Sequence, residues 1–168
     1  NVHGWHNSDD SSWQGLIAML KAMCPDVIAL QEATKHRVPA LAHQLGDMNW
    51  TARHNCAILS RSELTPLESG QVVGIGRSSQ QVQTRKEKRG TGDLGGKGRP
   101  FERFCRAAIA VANLSQPLEV VCLHLDHVRE TNRLSQLRDL VQSQQGPGRS
   151  PFQVWCGDFN ALTLRDYE

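Results

Sequence analysis

The first apolar pattern along the chain is helical: Trp13, Leu16, Ile17, Leu20 and Cys24 recur at three- and four-residue intervals, the spacing of one helix face. Ser11 or Ser12 suits the N-cap of this helix and Pro25 stops it. Asp26-Val27-Ile28-Ala29-Leu30 follows as a short continuous apolar run, which reads as a buried strand ending at Gln31-Glu32. Val38, Leu41, Ala42 and Leu45 return to the helical interval, with Pro39 in a first turn and Gly46 just past the end.

From residue 49 the period shortens. Strands are predicted at Trp50–Arg53, Cys56–Ser60, Leu67–Val73, Phe104–Asn113 and Leu118–Leu125, the last two joined by the turn Leu114-Ser115-Gln116-Pro117. This middle section reads as antiparallel. Helical spacing resumes from Asn132 to Gln145 through Leu134, Leu137 and Val141, and Gly146-Pro147-Gly148 ends it. A final run, Phe152-Gln153-Val154-Trp155-Cys156, leads into Gly157-Asp158-Phe159-Asn160. Helices and strands mix without strict alternation, which predicts a layered α/β fold rather than a pure doubly wound sheet. A chain of 168 residues suits one domain with one core, spanning 1–168.

Charge changes the picture in one place. From Arg77 to Arg106 there are nine Lys or Arg against three Asp or Glu, while the whole chain carries a net charge of only +2. Within 77–103 a Gly-rich run follows Arg85-Lys86-Glu87-Lys88-Arg89. Such composition buries too little apolar area to order itself and predicts a disordered surface loop. Arg85, Lys86, Lys88 and Arg89 are candidate nucleic-acid contacts, because clustered cations release counterions from phosphates. A solvated loop is the competing reading, since no aromatic platform is interleaved. Five widely spaced cysteines form neither a zinc knuckle nor a Cys-x-x-Cys pair. Cys122 and Cys156 lie in strand-like apolar runs, which points to reduced core thiols and an intracellular setting, cytoplasmic or nuclear. No segment has the apolar length to span a bilayer.

The candidate chemistry gathers at strand ends. Asp158 and Asn160 are two apart, so a continuing strand presents both on one face. Leu30-Gln31-Glu32 places a second carboxylate at an earlier strand end, and two such ends suggest one metal site. Each residue also has an ordinary explanation. Asp-x-Asn is common turn chemistry, Glu32 could cap a helix, and His124 could be a satisfied core histidine. His124 with His127 suits a zinc pair on a helix, but the preceding residues are strand-like and no third ligand is evident.

Taken in order, Asn1-Val2-His3-Gly4, Leu30-Gln31-Glu32, Leu123-His124-Leu125-Asp126 and Gly157-Asp158-Phe159-Asn160 resemble the motifs of the endonuclease/exonuclease/phosphatase superfamily. Four motifs in sequence are far more specific than any one. The resemblance implies a deoxyribonuclease I-like α/β/β/α sandwich and magnesium-dependent, or manganese-dependent, cleavage of a phosphoester, with DNA and RNA among the candidate substrates. It implies Glu32 and Asn1 as metal ligands, Asp158 as the group that orients or deprotonates water, and Asn160 and His124 as stabilisers of phosphoryl charge. Arg133-Leu134-Ser135-Gln136 resembles an Arg-x-x-Gln that ties the following helix to the sheet. Arg106 could face a phosphate, although a solvated strand end is the preferred reading. Two positions depart from the pattern: His3 stands where many members have Asn or Asp, and no closing Ser-Asp-His follows Asn160. The expectation is a domain lacking its C-terminal part and inactive as this chain. The alternative is a non-catalytic relative that serves as a nucleic-acid or protein binding module.

Overall fold

The computed structural model describes residues 2, 10–33, 37–53, 55–67, 72–74, 104–127, 129–144 and 150–160. The expected basic loop at 77–103 therefore lies outside the described residues.

Helix α1 (Asp10–Met23) buries Ile17 and Leu20 and half-buries Trp13 and Leu16, so one apolar stripe faces inward. It begins before the expected caps, with Ser11 and Ser12 already in its first turn. Cys24, at φ 48, ends it, and its N–H donates to the Leu20 carbonyl at 3.0 Å. Strand β1 (Val27–Gln31) leads to α2 (Val38–Gln44), which has Pro39 in its first turn and buries Val38, Leu41 and Ala42. Beyond α2, Gly46 takes φ 90, a conformation that favours glycine. The Arg37 guanidinium lies 5.4 Å from the Trp13 ring centre and ties the start of α2 to α1.

Strands β2 (Asn49–Arg53) and β3 (Cys56–Ser60) form a hairpin whose tight connection contains Asn55 at φ 63. Strand β4 (Leu64–Pro66) and strand β5 (Val72–Gly74) replace the single strand expected at Leu67–Val73. They belong to different sheets, so the chain crosses between layers within that stretch. Strands β6 (Phe104–Ile109) and β7 (Leu118–His124) pair antiparallel. β6 stops four residues short of its expected end at Asn113. Helix α3 (Glu130–Gln144) then crosses to β8 (Gln153–Asp158), which runs parallel to β7.

The first sheet has the order β1-β3-β2-β5 and the second β4-β6-β7-β8. Alternate residues of the two sheets meet in one layer: Cys56 and Ile58 of the first face Cys105, Ala107, Ile109, Val120 and Cys122 of the second. The outer face of the first sheet packs on α1 and α2 through Ile28, Leu30, Trp50 and Leu59. The outer face of the second carries Val121, Leu123 and Trp155 against Leu140 of α3. The order of layers is therefore α/β/β/α, as expected. Covered on both sides, β3 is buried along its length and β7 at every position except its ends.

One helical face differs from expectation. In α3 the period is as predicted, but Leu134 is 54% exposed and Val141 41%, whereas Gln136 and Leu140 are buried. The face against the sheet is thus mixed rather than apolar.

Candidate active site

Three strands deliver side chains to one end of the sandwich. Glu32 follows the last residue of β1, while His124 and Asp158 are the last residues of β7 and β8 and lie opposite each other in the parallel register. Across the gap between sheets, His124 Nε2 lies 3.8 Å from Glu32 Oε1, with the imidazole 13% and the carboxylate 30% exposed. Residues 92 positions apart in sequence are thus brought to one polar pair that remains open to solvent.

Glu32 adopts φ 57, a left-handed conformation that costs a non-glycine residue about 1–2 kcal/mol. Its neighbours hold it there. The Val2 N–H donates to the Gln31 carbonyl at 3.0 Å, and the Ala33 N–H donates to the Asn55 carbonyl at 2.9 Å. The backbone is fixed on both sides, so the carboxylate leaves the strand toward His124 instead of following the sheet.

Gly157 does the corresponding work on β8. A Cβ there would lie 1.9 Å from the Leu123 carbonyl oxygen, and φ is 142. Only glycine allows β8 to approach β7 so closely one residue before Asp158.

Asp158 and Asn160 come together by a different route from strand alternation. The strand ends at Asp158, and Asn160 has φ 47. Asp158 Oδ1 accepts the Asn160 N–H at 2.9 Å, which is an Asx-type turn. Asn160 Nδ2 donates to the Leu125 carbonyl at 2.8 Å, and the Leu125 N–H donates to the Asp158 carbonyl at 2.9 Å. The turn reading and the site reading are therefore both realised: the turn is what positions the amide beside the carboxylate.

Asp126 organises the adjoining segment. Its carboxylate accepts the Arg129 N–H at 2.7 Å and Asn132 Nδ2 at 3.4 Å. Its backbone N–H donates to Gln136 Oε1 at 2.9 Å, and its carbonyl accepts Arg133 Nη1 at 3.2 Å. Arg133 and Gln136 thus anchor α3 to the turn after His124. This explains why polar residues occupy the packed face of that helix.

Other candidates fall elsewhere. Arg106 is 3% exposed, with its Nε 3.4 Å from Glu119 Oε1 of the neighbouring strand, so the expectation of a solvated strand end is wrong. The acidic partner sits thirteen residues away, where β6 and β7 pair, and no local signal reveals it. His127 lies in the exposed connection between β7 and α3, so it shares no helical face with His124. Asn1, Arg85, Lys86, Lys88 and Arg89 lie outside the described residues.

Beneath the site is a layer of thiols. Cys105, Cys122 and Cys156 occupy matched positions across β6, β7 and β8, and Cys56 faces them from β3. Cys56 donates toward Cys122, and this bond together with burial pushes its ionisation upward. Burial, aided by Cys122, raises Cys156 to about 11.

Across residues 6–166 the sequence matches the Endonuclease/Exonuclease/phosphatase family. The chain belongs to that family. Among solved structures, a family member from Bacteroides thetaiotaomicron has a TM-score of 0.58 at 13% identity, with 91% of this chain and 59% of that one covered. A mannosyl-6-phosphatase from the same organism gives 0.56 at 13% identity, covering 91% and 61%. A conserved protein of unknown function from Enterococcus faecalis gives 0.53 at 16% identity, covering 88% and 57%. These likenesses concern the fold. The chain spans about three-fifths of the length of each of these structures. No curated protein matches the chain.

Family enzymes generally depend on a divalent metal, and the donor chemistry here fits a hard cation. No group of three or more His, Cys, Asp or Glu that could hold a metal occurs among the described residues. A single partly exposed carboxylate such as Glu32 is the kind of anchor magnesium uses, with water and substrate oxygens completing the octahedron.

Proposed function

We propose that this chain carries the catalytic residues of a magnesium-dependent phosphoesterase. The observation that supports this most directly is the convergence of Glu32, His124, Asp158 and Asn160 from three strand ends in a chain of this family. Glu32 would hold the metal, with Asn1 as a second oxygen donor. When bound, the cation supplies Lewis-acid polarisation of a phosphoryl oxygen and offsets charge on the leaving oxygen.

The protein groups do the rest. Asp158 accepts a proton from the attacking water and orients it, its carboxylate being held by the Asn160 N–H. The Asn160 amide has two N–H groups. One is committed to the Leu125 carbonyl, and this fixes the direction in which the other donates to a phosphoryl oxygen. His124, whose Nε2 lies 3.8 Å from Glu32 Oε1, donates to the same developing charge. Manganese would substitute for magnesium, since both accept hard oxygen ligands.

Phosphate monoesters and diesters are both candidate substrates, the mannosyl-6-phosphatase being one structural neighbour. The basic segment around Arg85, Lys86, Lys88 and Arg89 favours DNA or RNA as the diester. The test is hydrolysis of aryl phosphate monoesters, aryl diesters, oligonucleotides and sugar phosphates by the full natural protein, with magnesium and with chelator. Turnover of at least one class that chelator abolishes is expected. Magnesium-independent turnover would contradict the proposal. Salt-sensitive nucleic-acid binding with no turnover of any class would instead favour the non-catalytic binding module.

A further inference from the structure

We propose that Gln31 and Cys122 form a positioning pair that sets the spacing between Glu32 and His124 across the sandwich, a role that rests on the phosphoesterase reading of this site. Gln31 Nε2 donates to Cys122 Sγ at 3.3 Å, and the Cys122 thiol donates to the Leu30 carbonyl at 3.3 Å. Both residues are buried. Gln31 immediately precedes Glu32, and Cys122 stands two residues before His124, on the same face of β7.

The physical need for such a pair follows from the architecture. β1 and β7 belong to different sheets, so no ladder of backbone hydrogen bonds fixes one against the other. Apolar packing between sheets is non-directional and tolerates sliding. A side-chain bond at 3.3 Å is directional, and here it lies one residue from one member of the polar pair and two from the other. The second bond, from Cys122 to the Leu30 carbonyl, ties the same sulfur to the β1 backbone. Cys56 adds a third contact, its thiol donating to the same sulfur. Cys122 therefore links β1, β3 and β7 below the site, and movement of its sulfur is transmitted to both Glu32 and His124.

The experiment compares Cys122→Ala, Cys122→Ser and Ile58→Val in the full natural protein. Ile58 is fully buried in the same layer between the sheets and serves as a packing control. Two readouts are used: Mn2+ affinity without substrate, by water-proton relaxation, and the His124 ring-proton resonances of the metal-free protein. Cys122→Ala is expected to weaken Mn2+ binding about tenfold, the low end for loss of a group supporting a ligand, and to shift the His124 resonances. Cys122→Ser, which keeps an acceptor for Gln31, should restore most of both. Ile58→Val should lower Tm and leave both unchanged. The inference is overturned if Cys122→Ala moves these readouts no further than Ile58→Val, or if serine rescues neither. Absence of Mn2+ binding by the unmutated protein would remove the phosphoesterase reading instead, and the His124 resonances would still decide the positioning role.

Discussion

At Gly157 the backbone excludes every side chain. A Cβ 1.9 Å from the Leu123 carbonyl oxygen cannot be accommodated by rotamer change, because the obstacle is the backbone of the paired strand. Gly157→Ala is therefore expected to destabilise the fold by about 3–5 kcal/mol, read by urea unfolding. A loss below about 1 kcal/mol would show that β8 does not lie this close to β7. The Gly-Asp-Phe-Asn motif was legible in the sequence as chemistry, but this steric role was not, since it depends on a strand 34 residues earlier in the chain. The same limit applies to Asn160. Period-two alternation predicts the right neighbour for Asp158 for the wrong reason, because the left-handed turn at Asn160 and the Leu125 carbonyl do the placing.

At the scale of elements, α3 shows what periodicity does and does not convey. The interval of Leu134, Leu137 and Val141 locates the helix within two residues of its observed ends, yet Leu134 and Val141 face solvent. The packed face is chosen by the bonds that Arg133 and Gln136 make to Asp126, which hydrophobicity cannot report. Gln136→Ala leaves the Asp126 N–H without this acceptor and should cost about 1–3 kcal/mol. Hydrogen exchange should show faster opening of residues 125–127 in that variant. Unchanged protection there would mean that α3 is held by Leu140 packing alone. The exchange of strands between sheets after β3 was likewise illegible, because a three-residue strand such as β4 carries too few positions to display a period.

Over the whole molecule, the layer between the sheets is rich in thiols, and this gives the fold a pH response. Cys156 is raised from 9.0 to about 11, chiefly by burial. Below pH 9 both folded and unfolded chains keep this proton. Above it the unfolded chain ionises first, so stability falls from about pH 9 to pH 11 and is lost as pH passes the folded value. Cys156→Ala should flatten the decline of the urea midpoint over that range, and a slope identical to that of the unmutated chain would contradict this assignment. Glu119→Ala should destabilise by about 3–5 kcal/mol, because it leaves the buried Arg106 charge without its carboxylate.

The layered fold was readable, and so were the motifs at Glu32, His124 and Asp158, because each of these three lies at a strand end, where local sequence carries both the apolar run and the polar stop. The distances between motifs were not readable. The pairing of Glu32 with His124 arises from two sheets stacking, and sequence records no register between sheets. In the reaction we propose, this end of the sandwich divides metal holding from water activation. Its most direct test is the magnesium dependence of hydrolysis by Glu32→Gln and Asp158→Asn in the full natural protein. Glu32→Gln should raise the half-saturating magnesium concentration at least about tenfold. Asp158→Asn should lower kcat by about 10²–10⁴ with the magnesium requirement unchanged. Full activity in both variants at the same magnesium concentration as the unmutated protein would rule out these roles for Glu32 and Asp158.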